Sequence, residues 1–229
     1  MKTIGLIGGM SWESSAISYK LINQKVKKQL GGHHSAQCIM YSVDFDEIAH
    51  YQHQGDWDKL SRILVAAALN LEKGGAGFII LCTNTMHKVA IDIIGNIQIP
   101  FLHIADVTAE ALKYKGIKKA ALLGTQFTME GNFIKDKIVN EHGIDIIIPD
   151  IDHRKEIHRI IYEELVNGII REDSRKIYLD IIDILSDRGA EGIILGCTEI
   201  GMLIHQEMTS HLLFDTTEIQ AEAAVSFAL

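Results

Sequence analysis

The sequence predicts an α/β protein made of two similar half-chains, each a small α/β domain with a parallel sheet. Three observations carry this. Short apolar runs alternate with longer stretches of helical period. The runs are continuous rather than alternating in polarity, as strands covered by helices on both faces require. Two segments also recur. Leu6-Ile7-Gly8-Gly9 resembles Leu122-Leu123-Gly124-Thr125 at an offset of 116 residues. Gly75-Ala76-Gly77-Phe78-Ile79-Ile80-Leu81 resembles Gly189-Ala190-Glu191-Gly192-Ile193-Ile194-Leu195 at an offset of 114.

The elements follow in order. Residues 3–8 read as a buried strand ending at Gly8-Gly9. Ser11 is an N-cap for a helix running over 14–30, which Gly31-Gly32 stops. Residues 36–43 form a second strand. A helix over 57–73 places Leu60, Ile63, Leu64, Ala67 and Leu71 on one face, and Gly74-Gly75 ends it before a third strand at 77–82. The second half repeats the theme. It has strands at 119–124, 144–148 and 191–196, and helices near 130–142, 152–167 and 173–188. Asp215 opens the last helix, with Glu218 at capping-box spacing. The expected domains are residues 1–98 with 213–229, and residues 99–212.

Composition narrows the function. The chain has 229 residues, 47% apolar and 23% charged, which excludes disorder. A net charge of -8 argues against a nucleic-acid or anionic-membrane partner. No apolar run reaches the length of a membrane span, and the glycine-rich start does not read as a signal segment. A cytoplasmic location is expected. The cysteines are Cys38, Cys82 and Cys197, with no CxxC pair, so neither a disulfide framework nor a zinc ribbon is expected. His50 and His53 make at most a weak metal pair, and Gly5-Leu6-Ile7-Gly8-Gly9 fits neither G-x-G-x-x-G nor a P-loop.

Ligands of open α/β sheets bind at the carboxyl ends of strands. Four such ends carry small polar residues: Gly8-Gly9-Met10-Ser11, Cys82-Thr83-Asn84-Thr85, Gly124-Thr125-Gln126-Phe127-Thr128 and Gly196-Cys197-Thr198-Glu199. Free N–H groups at helix starts favour a carboxylate or phosphate there. The 114-residue offset sets Thr83 opposite Cys197, Asn84 opposite Thr198 and Thr85 opposite Glu199. Only one of the two equivalent positions therefore holds a thiol. Cys197, at a helix start, is expected to have a lowered pKa and to act as a thiolate. Cys38 is expected in the core. Cys82 is expected to point away from Thr83, and His87 to lie on a helix surface.

These residues carry a family resemblance. Gly8-Gly9-Met10-Ser11, Val43-Asp44-Phe45 with Gln52 and Gly55-Asp56-Trp57, Cys82-Thr83-Asn84-Thr85-Met86-His87 and Gly196-Cys197-Thr198-Glu199-Ile200 resemble the aspartate/glutamate racemase family from Lys2 to the final helix. The sequence is most similar to the broad-specificity and L-aspartate/glutamate-type members, whose first loop also reads Cys-Thr-Asn-Thr. The resemblance implies two pseudo-symmetric, Rossmann-like domains with parallel sheets and an inter-domain cleft, a small dicarboxylic amino acid as substrate, and no pyridoxal phosphate or metal. It also implies a homodimer. In the common pattern two cysteines flank the substrate α-carbon, the first within Pro-Cys-Asn-Thr. Here Thr83 takes the cysteine place and Cys82 the proline place.

That departure sets the mechanism to be expected. Cys197 takes the α-proton of one enantiomer, and Thr83, or a water it holds, serves the opposite face. The direction needing a base at Thr83 should be the slow one, with the racemic endpoint fixed by detailed balance. Met10, Ser11, Gln52, Asn84, Thr85, Thr125, Thr198 and Glu199, with Thr83 itself, are the expected substrate-binding residues. Two alternatives remain. One is a single-thiol enzyme of the same fold, decarboxylating or isomerising a small dicarboxylate. The other is a non-catalytic amino-acid sensor.

Overall fold

Parallel pairing organises both halves of the chain. The computed structural model describes residues 1–229. In chain order the elements are β1 (Ile4–Gly8), α1 (Trp12–Leu30), β2 (Cys38–Ser42), α2 (Phe45–Gln54), α3 (Trp57–Lys73), β3 (Phe78–Leu81), α4 (Ala90–Asn96), α5 (Ile104–Tyr114), β4 (Lys119–Gly124), α6 (Gln126–Glu130), α7 (Asn132–His142), β5 (Asp145–Ile147), α8 (Ile151–Glu163), α9 (Glu172–Asp187), β6 (Gly192–Gly196), α10 (Ile200–Leu203), β7 (Leu213–Asp215) and α11 (Thr216–Ala228). One parallel sheet has the order β2-β1-β3 and the other β5-β4-β6-β7. The chain divides into two compact units, residues 1–104 with 220–229, and residues 105–219.

The internal repeat extends to strand register. Ile4 pairs with Phe78 and Ile7 with Leu81 in the first sheet. Ala120 pairs with Gly192 and Leu123 with Leu195 in the second. Adding the two sequence offsets to the first set of pairs returns the second. A bridge from Ile79 to Phe101 in the first unit occupies the place that β7 takes beside β6 in the second.

Capping residues set the helix starts as the sequence suggests. The Ser11 hydroxyl accepts from the Ser14 amide, and Asp56, Thr125 and Asp150 cap α3, α6 and α8 in the same way. Asp215 accepts from the amides of Thr217 and Glu218 at the head of α11. Such caps satisfy amides that have no partner inside the helix.

The central strands of each sheet are buried on both faces. In the first unit Ile4, Leu6, Phe78 and Ile80 pack against Ile22 and Val26 of α1 and Ala221, Ala224 and Val225 of α11. Ile7, Ile79 and Leu81 face Leu60, Leu64, Ala67 and Leu71 of α3. In the second unit Ala121, Leu123, Ile193 and Leu195 pack against Ile157, Ile160, Tyr178, Ile181 and Leu185 of α8 and α9. Their neighbours Ala120, Leu122 and Ile194 point the other way and are also fully buried.

Several elements differ from the sequence reading. Helices α2, α4 and α5 and strand β7 were not among the expected elements. The expected helix over 152–167 breaks after Glu163 into a short 3-10 turn at Leu165–Asn167. Because β7 pairs with β6, the return to the first unit lies inside α11 rather than before Leu213. Cys38 is corrected from core to half-buried, because β2 is the edge strand of its sheet.

Gly9 is the backbone position most closely fitted to its residue. Its φ is +95°, and a Cβ there would meet the Val43 carbonyl and lie 2.6 Å from the Val43 nitrogen. Both faults act together, since an L side chain disfavours that φ and the backbone contact cannot move aside. Gly9→Ala is expected to destabilise the fold by about 3 kcal/mol or more. Urea unfolding measures it, and a change within about 0.5 kcal/mol would refute the account.

Candidate active site

In the first unit, the turn after β1 is built from hydroxyls. The Gly9 amide donates to Ser15 Oγ at 2.8 Å, and the Ser14 and Ser15 hydroxyls donate to the Ser11 carbonyl at 3.0 and 2.9 Å. Ser11 is therefore already employed as a cap, and the buried Met10 packs in the core with Leu81 and Met86. Gln52, on α2, is buried and donates to the Met86 sulfur at 3.6 Å.

The loop after β3 separates its two chemistry-bearing residues by strand alternation. Cys82 is 1% exposed and packs with Leu6, Ile80 and Ala221. Burial pushes its thiol up to about 12, against a smaller opposing effect of a hydrogen bond with Ser18. It is an inert packing residue, as expected. Thr83 is partly exposed at the end of the strand, followed by buried Asn84 and Thr85. A 3-10 turn at Thr85–Val89 continues the chain, not an α-helix.

His87 corrects the surface assignment. It is 2% exposed. Its Nδ1 lies 2.8 Å from the Thr83 carbonyl, and its Nε2 accepts the Ile104 amide at 3.1 Å. A carbonyl only accepts and an amide N–H only donates, so these partners select the neutral tautomer with the proton on Nδ1. The ring thus ties the Thr83 loop to the start of α5. The four-residue spacing from Thr83 was the available signal. The Ile104 contact left none in sequence.

In the second unit, β4 and β6 end side by side at Gly124 and Gly196. A Cβ on Gly124 would approach the Gly196 carbonyl to 2.8 Å, so two small residues let the strand ends close together. Thr125 caps α6, and its hydroxyl also lies 3.1 Å from that of Thr128. Past β6, Cys197 is buried among core residues. Its thiol donates to Glu199 Oε2 at 3.0 Å, and the Thr198 hydroxyl donates to the same oxygen at 2.6 Å.

This geometry reverses one expectation. The Cys197 thiol is held well above its ordinary range, first by burial and then by the charge and hydrogen bond of Glu199. A backbone hydrogen bond from Glu199 acts in the opposite direction and is outweighed. The Cys197 thiol thus has a carboxylate acceptor in contact. Burial, and then nearness to Cys197 and Glu199, also push Tyr162 up to about 12. Tyr162 comes from α8, and nothing in the local sequence around Cys197 announced it. Arg175 donates through Nε to the Leu203 carbonyl at 3.0 Å, which fixes the end of α10.

The histidines supply no metal pair on α2. His53 bonds the Ala49 carbonyl, and His50 pairs with Gln54. Asp106, Glu141 and His142 converge within 4.8 Å. Lys137 sits between both carboxylates, and His142 Nε2 is 2.9 Å from Asp106, so the cluster reads as an ion-pair network.

The model of the Asp/Glu/Hydantoin racemase family matches residues 7–224. The chain belongs to this family. Its fold matches an Aspartate racemase homologue from Pyrococcus horikoshii at TM-score 0.85 and 33% identity, over 100% of this chain and 99% of that one. A Yersinia pestis structure solved as a candidate Asp/Glu racemase gives TM-score 0.94 and 52% identity, over 100% and 99%. The curated broad specificity amino-acid racemase RacX of Bacillus subtilis is 25% identical over 75% of this chain and 73% of its own length. Unliganded arylmalonate decarboxylase shares the fold at TM-score 0.55 and 12% identity. No helix is long and apolar enough to cross a membrane.

Proposed function

We propose that this chain is a cofactor-independent racemase that interconverts the enantiomers of aspartate or glutamate, with Cys197 and Thr83 serving opposite faces of the α-carbon. The observation that carries the reading is the shared strand register. Thr83 and Cys197 each stand two residues beyond equivalent paired leucines, Leu81 and Leu195. The family membership supports the reaction class.

On the Cys197 face, the thiol proton passes to Glu199 Oε2, the acceptor already 3.0 Å away. The resulting thiolate removes the α-proton and leaves a carbanion beside the substrate carboxylate. Protonation from the Thr83 face inverts the centre, and return of a proton from Cys197 restores it. A threonine hydroxyl titrates far too high to be a base unaided, so that face depends on a bound water or another acceptor. Backbone amides at the strand ends, from Met10, Ser11, Asn84, Thr85, Thr125 and Thr198, would hold the carboxylates and the developing charge, beside Gln52.

Because the endpoint is racemic, kcat/KM must be equal from the two enantiomers. The asymmetry therefore appears in exchange with retention. In deuterated water, one enantiomer is expected to gain α-deuterium faster than it inverts, and the other to gain it only on inverting. Equal retention exchange in both would refute the Thr83 assignment. Binding with no α-deuterium in either would refute the racemase and favour a sensor, and release of carbon dioxide from a substituted malonate alone would favour a decarboxylase.

A further inference from the structure

Thr83 stands just beyond the end of β3, and His87 holds it there. Before it, the Cys82 amide still donates to the Ile7 carbonyl of β1 at 2.9 Å. The next carbonyl, that of Thr83 itself, is held by His87 Nδ1 at 2.8 Å. The ring is held in turn at Nε2 by the Ile104 amide at 3.1 Å. Ile104 follows a segment fastened to β3. The Ile79 amide donates to the Pro100 carbonyl at 2.8 Å, and the Leu102 amide to the Ile79 carbonyl at 2.9 Å. The rings of His103 and Phe101 meet the imidazole edge-on, at 4.6 and 5.8 Å between centroids. A frame of backbone hydrogen bonds thus reaches Thr83 through one ring.

The second half fastens its loop differently. At the 114-residue offset His87 falls opposite Gly201. A Cβ on Gly201 would meet the Asp215 carboxylate, so that position is closed to a side chain. The clip belongs to the Thr83 half alone. We propose that His87, as the neutral ring protonated on Nδ1, is the positioning residue of the Thr83 face. The role presupposes the racemase reading. His87 acts through the Thr83 carbonyl and not on the reacting atoms. It fixes the backbone from which the Thr83 hydroxyl, or the water it holds, meets the α-carbon. Loss of the clip then slows protonation from the Thr83 face and leaves proton removal at Cys197 in place.

Two isosteres separate the two bonds. In His87→Asn the side-chain amide nitrogen takes the place of Nδ1 and keeps the bond to Thr83. In His87→Gln the amide oxygen takes the place of Nε2 and keeps the Ile104 amide paired instead. Each variant loses one buried hydrogen bond, so a purely structural residue would make the two alike. In deuterated water, the enantiomer that exchanges with retention is expected to invert less in His87→Gln. Its ratio of retained exchange to inversion should rise by about tenfold or more. His87→Asn is expected to bring that ratio back to within about threefold of the parent. Equal ratios in the two variants would overturn the proposal. A parent that exchanges no α-deuterium would count against the racemase reading alone, and amide hydrogen exchange then decides on the clip. Residues 83–85 are expected to exchange at least about tenfold faster in His87→Gln than in His87→Asn, and equal rates would overturn the clip. Should either variant fail to fold, nitrogen NMR of the parent's imidazole decides. A proton on Nδ1 is expected, and one on Nε2 would overturn the proposal.

Discussion

Cys197→Ala is expected to abolish α-proton exchange from both enantiomers, by about a thousandfold or more, while leaving the fold intact. On the proposed mechanism either enantiomer needs this thiol, one to lose its proton and the other to receive one on inversion. No other thiol can substitute. Cys82 points into the core beside Ala221, and Cys38 sits on the far strand of its sheet. The structural cost is small, since a single sulfur is lost from a site packed by Ile200, Leu203 and Tyr178, about 1 kcal/mol. Mass spectrometry of the substrate after incubation in deuterated water, with urea unfolding as the control, measures both. Exchange within tenfold of the parent would refute the assignment.

Glu199→Gln is expected to have two opposite effects. The charge and the hydrogen bond of Glu199 both raise the Cys197 thiol, so removing them lowers it, with burial still holding it above its ordinary range. The pH midpoint of Cys197 alkylation should fall. Exchange should nonetheless slow by about tenfold or more, because the carboxylate that accepts the thiol proton is gone. A midpoint that stays in place would remove Glu199 from control of the thiol. A lower midpoint with faster exchange would make it a brake rather than an acceptor. The same linkage fixes the direction of alkaline sensitivity. The unfolded chain ionises its cysteines before the folded one does, so Cys82 and Cys197 lend stability at neutral pH that is lost as pH rises past their ordinary values.

The sequence revealed most where local patterning and final structure depend on the same forces. Continuous apolar strands, serine and aspartate caps and the two recurring segments are local features, and they led to the strands, to most helix starts and to the pairing of Thr83 with Cys197. Helix α5 escaped because its small residues Ala105, Ala109 and Ala111 blur the apolar stripe, although it begins at the buried Ile104. Strand β7 has three residues, too few to show a period. The sequence named candidate positions at the strand ends but not the electrostatic environment around Cys197. The raised thiol of Cys197 depends first on burial among core residues from distant helices, and then on Glu199 and Asp215. The buried bridge at His87 likewise needs Ile104, seventeen residues away.

The matched register of the two sheets bears on how such a site can evolve. The places of Thr83 and Cys197 are set by backbone pairing of β1 with β3 and of β4 with β6, and by glycines that admit close strand ends. Side-chain identity at either place contributes little to that framework. On the proposed mechanism each half can therefore change its proton carrier by a single codon without re-learning where to present it. On that mechanism stereochemical bias becomes a trait that drifts separately on the two halves of a repeated scaffold, and a chain with one thiol is a neighbour in sequence space of a chain with two.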